Sequence, residues 1–428
     1  MVTKLLKRVI PAQLHRLIRR AVLFLIPLLR RQLRHTWRRR LRRRMRDRLR
    51  VWRRRLKGRK PEDLKGVCLN VWLYLGLYLG LSVGHVRRGN RSVGTGNQIH
   101  LINPLRGYTG GGPQRTLHLF EELKDHAEVC LWSGHEMAPE IAERYPIKQI
   151  APWRFEFPKT GTLVFVGLGN LSLGPWVRYT WPNRIIVVLN NNSTSPEKFR
   201  QRLWHISNGG RREVEAAYAS ELTKRSAGDY PGFVQPSLID IDTFVPSPSG
   251  PSDPAAAGGA FTVGRLSRAE PYKHHPDDPE LYRRLMENGC RIKIMGPSPS
   301  LEAQLDGSES VELLPPLAQE AHLFLQGLDC FFYRTSEEIV EASGRVVTEA
   351  MACGLPVVCH ESGGYAEIIE HGRNAFLFDT QQEALEILLR LKEDRELRES
   401  VGAEARRTAE GLFSSAVRSE IVQFYLRR

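Results

Sequence analysis

Two glutamates eight positions apart, Glu341 and Glu349, are spaced to do chemistry together. Between them lies a glycine turn, Ser343, Gly344 and Arg345. Behind them come a small-residue run, EAMACG, and an apolar strand, LPVVC. A second glycine pair, Gly363 and Gly364, opens another helix-like segment, YAEIIEHG. Where a glycine turn leads into a helix, the first N–H groups point outward, and the helix dipole favours negative charge there. A phosphate-bearing ligand suits such a place. Carboxylates beside it would not contact phosphate. They suit sugar hydroxyls, which donate hydrogen bonds to carboxylate oxygens.

This segment resembles the signature of the retaining GT-B glycosyltransferases of family four, the group 1 glycosyl transferases. The matching positions are Glu341, Gly344, Glu349, Ala350, Met351, Ala352, Gly354, Pro356, Val357, Val358, Gly363, Gly364 and Glu367. Ser343 departs from the pattern, since the family usually has an aromatic residue there. The resemblance implies an α/β GT-B fold, in which two Rossmann-like domains face each other across a cleft.

It also implies roles for individual residues. Arg265 and Lys273, in TVGRLSRAEPYKHHP, resemble the family's pair of cations on the donor diphosphate. Arg268 competes for the lysine's role, because this loop is longer than usual. A leaving nucleoside diphosphate develops negative charge that fixed cations stabilise. Glu349 resembles the glutamate on the ribose hydroxyls, and Glu341 the one that orients the donor sugar. Ser343, Gly344 and Arg345 stand where backbone amides approach sugar and phosphate. Gly296, in MGPSPS, and the ELLPPL run resemble the loops around the base. Gly110, Gly111 and Gly112 match the glycine loop of the family's first domain, where Gly111 and Gly112 would meet the donor. Many relatives carry a histidine after the fourth strand of that domain. Here Asn190, Asn191 and Asn192 stand in its place, and an amide takes up no proton at neutral pH. The mechanism would then rest on the donor phosphate accepting the acceptor's proton on the same face. His100, His118, His135 and His205 read as structural.

No metal or other cofactor is expected. The acidic pair Asp240 and Asp242, in DIDTF, lies in the segment that closes the first domain, away from any donor loop. The six cysteines include no C-x-x-C pair and no metal spacing, which suggests buried thiols in a reducing compartment.

The charge is unevenly placed. Residues 1–60 hold 24 Lys or Arg against one acid, Asp47, a net +23, and the rest of the chain carries −7. Within the arm, Leu33, Trp37, Leu41, Met45, Leu49, Trp52 and Leu56 recur every three or four positions, an apolar stripe on an arginine-rich helix. Such a helix lies on an anionic membrane surface. Nucleic acid is the weaker alternative, since arginine runs also bind phosphate backbones. Residues 66–86 contain no Lys, Arg, Asp or Glu. At ~1.5 Å per residue they could span about 30 Å of hydrocarbon. A full crossing would set the basic arm outside, against the positive-inside tendency. An in-plane or re-entrant helix, or packing onto another subunit through Gly76, Gly80 and Gly84, fits better.

The elements that position these residues read as follows. Residues 1–65 form the basic helical arm and 66–90 the apolar membrane-associated helix. Residues 96–244 form a Rossmann-like acceptor domain, 245–260 a linker rich in Pro, Ser, Gly and Ala, and 261–412 a Rossmann-like nucleotide-sugar domain. Residues 413–428 form a last helix that packs back onto the first domain. Alternation of strands with helices implies a parallel sheet covered on both faces. First-domain strands are expected at IHLIN, 127–132, 163–166, 185–189 and 233–235, and helices at 136–144, 196–202 and 211–224. The expected activity is metal-independent, retaining transfer of a sugar from a nucleotide sugar to a lipid-linked or polysaccharide acceptor at the cytosolic face of a membrane. A nucleotide-sugar epimerase or phosphorylase of the same fold, or a non-catalytic membrane-bound scaffold, are the alternatives.

Overall fold

The structure is a computed structural model. It describes residues 98–427 apart from short stretches at 106–109, 136, 153–155, 168–175, 178–179, 193–194, 248–258 and 306. The basic arm and the apolar 66–86 segment lie outside the described residues. Among the described residues no helix is long and apolar enough to cross a membrane.

The first domain is a seven-stranded parallel sheet. Its strands are β1 (Gln98–Ile102), β2 (Glu128–Ser133), β3 (Ile147–Gln149), β4 (Thr162–Val166), β5 (Arg184–Leu189), β6 (Glu215–Tyr218) and β7 (Gly232–Val234), in the order β3-β2-β1-β4-β5-β6-β7. All six residues of β5, RIIVVL, are buried, as expected of a strand covered on both faces. The order reverses between β1 and β4. In such sheets ligands bind at this switch point, beyond the carboxyl ends of the strands. Helices α1 (Gly111–Leu123), α2 (Pro139–Arg144), α3 (Pro196–Ile206) and α4 (Glu221–Ser226) make the connections.

The second domain repeats the plan with six parallel strands. They are β8 (Thr262–Leu266), β9 (Arg291–Met295), β10 (Val311–Leu314), β11 (Cys330–Tyr333), β12 (Val357–His360) and β13 (Phe376–Phe378), in the order β10-β9-β8-β11-β12-β13. Its switch point falls between β8 and β11. Helices α5 (Asp278–Glu287), α6 (Pro299–Leu305), α7 (Ala321–Gln326), α8 (Arg345–Ala352), α9 (Gln381–Glu393) and α10 (Arg395–Leu412) cover it.

The final helix, α11 (Ser415–Leu426), packs onto the first domain, as expected. Phe424 stacks on Phe233 with ring centroids 4.7 Å apart, and Gln235 donates to the Tyr425 hydroxyl at 3.1 Å. Arg184 donates to the Phe424 carbonyl at 2.5 Å. A stacked pair of this kind adds about 0.5–1.5 kcal/mol beyond its area.

Three expectations need correction. Residues 211–224 are not one helix but strand β6 followed by α4. The sequence EAAYAS favours a helix locally, yet Ala216, Ala217 and Tyr218 are fully buried between β5 and β7, so packing overrides propensity. Ser220 then caps α4, accepting from the Thr223 N–H at 3.1 Å. The YAEIIEHG segment forms a single 3₁₀ turn, Gly364–Ile368. The helix expected at 136–144 begins only at Pro139, where a missing N–H costs nothing.

Candidate functional site

The site is built where α8 starts, at the carboxyl end of β11. Gly344 caps α8 in the left-handed region, at φ 56°. A Cβ there would stand 2.2 Å from the Tyr365 ring, so only glycine fits. On its inner face α8 buries Val347, Ala350 and Met351. Gly354 (φ 71°) ends it, its N–H bonding the Met351 carbonyl while Leu355 N–H returns to Ala350. The helix start is thereby fixed from both ends, and the loop before it carries Glu341.

Glu341 lies between a cation and a phenol. Its Oε2 accepts from the Tyr333 hydroxyl at 2.7 Å and pairs with the Lys273 ammonium. Burial and then the neighbouring Glu341 carboxylate push the Tyr333 hydroxyl well above its ordinary pKa, so it keeps its proton and donates. Lys273 ends a short 3₁₀ turn, Pro271–Lys273, after β8. The two residues expected to meet diphosphate and sugar therefore touch each other, and Tyr333, which the sequence reading missed, joins them. The signal for it was an apolar strand, DCFFY, ending on a polar ring.

Arg265 is fully buried, and its Nη2 donates to the carbonyls of Lys273 and Arg334. Its guanidinium lies 4.9 Å from the Tyr333 ring centre and 3.7 Å from Asp278 Oδ2. Asp278 Oδ1 in turn accepts from Arg334 at 2.7 and 3.0 Å. Two guanidinium groups thus share one buried carboxylate. Arg265 fixes the backbone from which Lys273 projects, and its Nε and Nη1 make no hydrogen bond, Nη1 being the atom that faces Asp278. Arg268 points elsewhere, to the Tyr272 hydroxyl at 3.1 Å.

Glu349 is 2% exposed on the first turns of α8 and accepts from Arg345 Nε at 2.7 Å and Nη2 at 2.6 Å. Gly296, after β9, has φ 84°, and a Cβ would meet the Ser267 carbonyl at 1.9 Å. His274 lies against the Gly296 carbonyl at 3.0 Å through Nε2. Because a carbonyl only accepts, Nε2 carries the proton. Burial, then the Arg265 charge, lower the His274 pKa to about 3 and keep the ring neutral. The turns holding Lys273 and Gly296 are tied together by that ring.

The first domain faces this assembly with neutral groups. At the ends of β1 and β5 stand Asn103 and Asn190. Both side chains approach the glycines of the adjoining turns: Asn103 Nδ2 lies 3.4 Å and Asn190 Nδ2 3.9 Å from where a Cβ on Gly112 would be. Asn103 is 2% exposed and donates to the Val166 carbonyl at 3.0 Å, while its Oδ1 has no protein partner. Neither amide group of Asn190 has one. Gly111 and Gly112 open α1, which has no side-chain cap. Asn103 was also missed, though it directly follows the first strand. The loop 340–343 is stitched to this domain. Asn192 donates to the Val340 carbonyl at 3.2 Å, Ser220 to the Ala342 carbonyl at 2.5 Å, and Ser237 and Ser343 hydroxyls meet at 3.0 Å. Glu367 accepts from the N–H groups of Glu221 (2.8 Å) and Leu222 (2.6 Å) at the start of α4.

Asp240 is committed to a turn, accepting from Thr243 Oγ1 at 2.7 Å and from the Asp242 N–H at 3.2 Å. The Thr243 bond holds its carboxyl below the usual range. Among the described residues no group of three or more His, Cys, Asp or Glu is placed to hold a metal. Five cysteines, 130, 290, 330, 353 and 359, are buried and unpaired.

The family described as Glycosyl transferases group 1 matches residues 253–408, essentially the second domain. Among curated proteins, the spore coat protein SA of Bacillus subtilis is 37% identical over 81 residues, 18% of this chain and 22% of its own length. The sulfoquinovosyl transferase SQD2 of Arabidopsis thaliana is 41% identical over 75 residues, 16% of this chain and 15% of its own. Sucrose synthase 2 of Pisum sativum is 38% identical over 100 residues, 22% and 11%. The chain spans between 11% and 22% of the length of these relatives. Among solved structures, HepE of Anabaena in complex with UDP and glucose aligns at TM-score 0.62 and 19% identity, covering 78% of this chain and all of the other. WaaG, a glycosyltransferase involved in lipopolysaccharide biosynthesis, aligns at TM-score 0.56 and 12% identity, covering 77% and 100%. These likenesses show the fold: two Rossmann-like domains in the GT-B arrangement.

Proposed function

We propose that the protein transfers a glycosyl group from a nucleotide sugar to a saccharide or lipid-linked acceptor, with retention of configuration and without a metal ion. The observation that carries this reading is the convergence of Lys273, Glu341 and Tyr333 beside the start of α8, with Arg345 opening that helix and Glu349 one turn along it. In this reading Lys273 and the open amides of α8 receive the diphosphate, and Glu341 exchanges its lysine for the donor's sugar hydroxyls. Glu349 takes the ribose hydroxyls. Arg265 contributes a buried positive field and holds Lys273 in place. The first-domain amides offer hydrogen bonds but no base, so the acceptor's proton passes to the leaving phosphate on the same face. The family match over the second domain supports the donor half of this reading.

We further propose attachment to an anionic, cytosolic membrane face through the basic arm. Its 24 Lys or Arg each add about 1 kcal/mol of attraction when near such a surface, less in salt.

The decisive experiment screens nucleotide sugars for thermal stabilisation of the full chain, then assays transfer with the best of them. UDP-glucose comes first, because HepE holds UDP and glucose. A ligand that binds only the folded state raises its stability. The expected result is stabilisation by one nucleotide sugar, and transfer that survives EDTA. Failure of every nucleotide sugar to stabilise the protein would overturn the reading, and loss of transfer in EDTA would overturn its metal-free form.

A further inference from the structure

The strands of the first sheet all run the same way, so the domain has two unlike edges. β4 starts opposite β5, with Thr162 beside Arg184, and β5 starts near Glu215 of β6. The starting edge lies away from Asn103 and Asn190, which end their strands at the cleft. Two large apolar side chains stand out on this starting edge. Trp181, three residues before β5, is 67% exposed, and Trp204, near the end of α3, is 65% exposed. Exposed tryptophans in a folded domain ask for a partner.

The Trp204 ring is held rather than loose. The Trp204 ring lies on the turn Asn208, Gly209 and Gly210, all three in the left-handed region. A Cβ on Gly210 would come within 3.1 Å of the ring, so the glycines form its platform. The platform is locked by Gly210 N–H on Ser207 Oγ at 2.8 Å and Gly209 N–H on the Trp204 carbonyl at 2.8 Å. Arg212 ties this turn to the other tryptophan's segment, donating to Thr180 Oγ1 at 3.1 Å and to the Thr180 carbonyl. Exposed Lys159, whose carbonyl accepts from the Trp181 N–H, and exposed Arg211 lie beside the two rings, while the acids of this edge are Glu213, Glu128 at the start of β2 and Asp229 before β7. Finally, the chain enters β1 at Gln98 on this same edge, with only eleven residues between it and the uncharged stretch 66–86.

Tryptophan at the headgroup level with basic residues around it is the composition of a membrane interface. We infer that this edge of the first domain rests on an anionic bilayer surface, with Trp181 and Trp204 among the headgroups and Lys159 and Arg211 on lipid phosphates. The folded body then has a contact of its own, beyond the arm, and a defined orientation. The inference rests on the proposed attachment for the identity of the surface, and not on the proposed activity.

The test uses the full chain with vesicles of phosphatidylcholine, alone or mixed with phosphatidylglycerol, and follows backbone hydrogen exchange. Anionic vesicles should slow exchange at 207–213 and leave the loop 340–344 unchanged. The double variant Trp181→Ser/Trp204→Ser should weaken anionic vesicle binding roughly tenfold, the effect of withdrawing about 60 Å² of apolar surface. Leu323→Ser, at an exposed leucine of α7 in the second domain, should bind as the parent does. If vesicles bind while 207–213 exchanges as before and the double variant binds normally, the edge is not the contact and the arm alone attaches the protein. If anionic vesicles are ignored altogether, both proposals fall. Protection of 207–213 that grows with protein concentration in the absence of lipid would mean that a second copy covers the edge, which also overturns the inference.

Discussion

The two strand edges that meet at the cleft are built from opposite chemistry. The second domain presents Lys273, Arg345, Glu341 and Glu349, each already engaged with a charged or hydroxyl partner. The first presents Asn103, Asn190 and Asn192, with carboxamide oxygens that no protein group satisfies. Paired charges are pre-oriented and exchange one partner for another when a charged ligand arrives. Unsatisfied neutral amides can only accept or donate hydrogen bonds. On the proposed function, the difference teaches that donor binding and charge stabilisation would be concentrated on one side, while the other side would offer positioning alone.

The largest test of this contrast lies beneath the charged edge. Asp278→Ala would leave the guanidinium groups of Arg265 and Arg334 buried without their carboxylate. A loss of about 3–5 kcal/mol in urea unfolding is expected. Parent-like unfolding would mean that the buried cluster does not hold that edge. Next comes turnover. Lys273→Ala should lower it on the order of 100-fold, the usual loss for a partner of developing charge. Asn190→Ala should lower it less than about tenfold, the worth of a neutral hydrogen bond. Equal losses would erase the asymmetry.

The two glutamates sharpen the comparison within the charged side. Glu349→Ala should weaken binding of a free nucleoside diphosphate by about tenfold, as loss of a charged hydrogen-bond acceptor does. Glu341→Ala frees Lys273, so it should spare the nucleoside diphosphate and damage use of the sugar donor. Calorimetry with both ligands separates the two roles, and parallel losses would show them misassigned.

The smallest effect compares one buried histidine in each domain. Burial lowers His100 to about 4 and His274 to about 3. Both stay neutral in the folded state, while the unfolded chain takes up protons below its ordinary value near 6.5. Stability is therefore intact above that value and declines as pH falls toward the folded pKa values. Linkage gives about 0.7 kcal/mol per histidine between pH 7 and pH 6. His100→Gln should remove about half of that shared decline, and an unchanged slope would place the titration elsewhere.

Legibility in the sequence followed the same divide. The second domain announces itself because its glycines and glutamates are fixed by backbone geometry: Gly344 and Gly296 cannot carry a side chain where they stand. Strand β5 was readable because five consecutive buried apolar residues, 185–189, admit few alternatives. Strand β6 was not, because its alanines favour a helix until β5 and β7 enclose them. Arg265 was legible as important but not in its placement, since burial depends on Asp278 in the next helix and on the Arg334 carbonyl far along the chain. Asn103 and Tyr333 were hidden for a similar reason. A single amide or phenol at the end of an apolar strand has no spacing to betray it.

The shared direction of the first-domain strands also works as a ruler. Six residues of β5 at ~3.3 Å each separate the tryptophan edge from the asparagine edge by about 20 Å. A domain standing on its tryptophans would hold the transfer site at that height above the lipid phosphates, opening away from them. A hydroxyl buried among headgroups could not reach it. An acceptor several sugars long, rooted in the membrane or growing free of it, could. The thickness of one sheet would then select acceptors by length before any side chain inspects their stereochemistry.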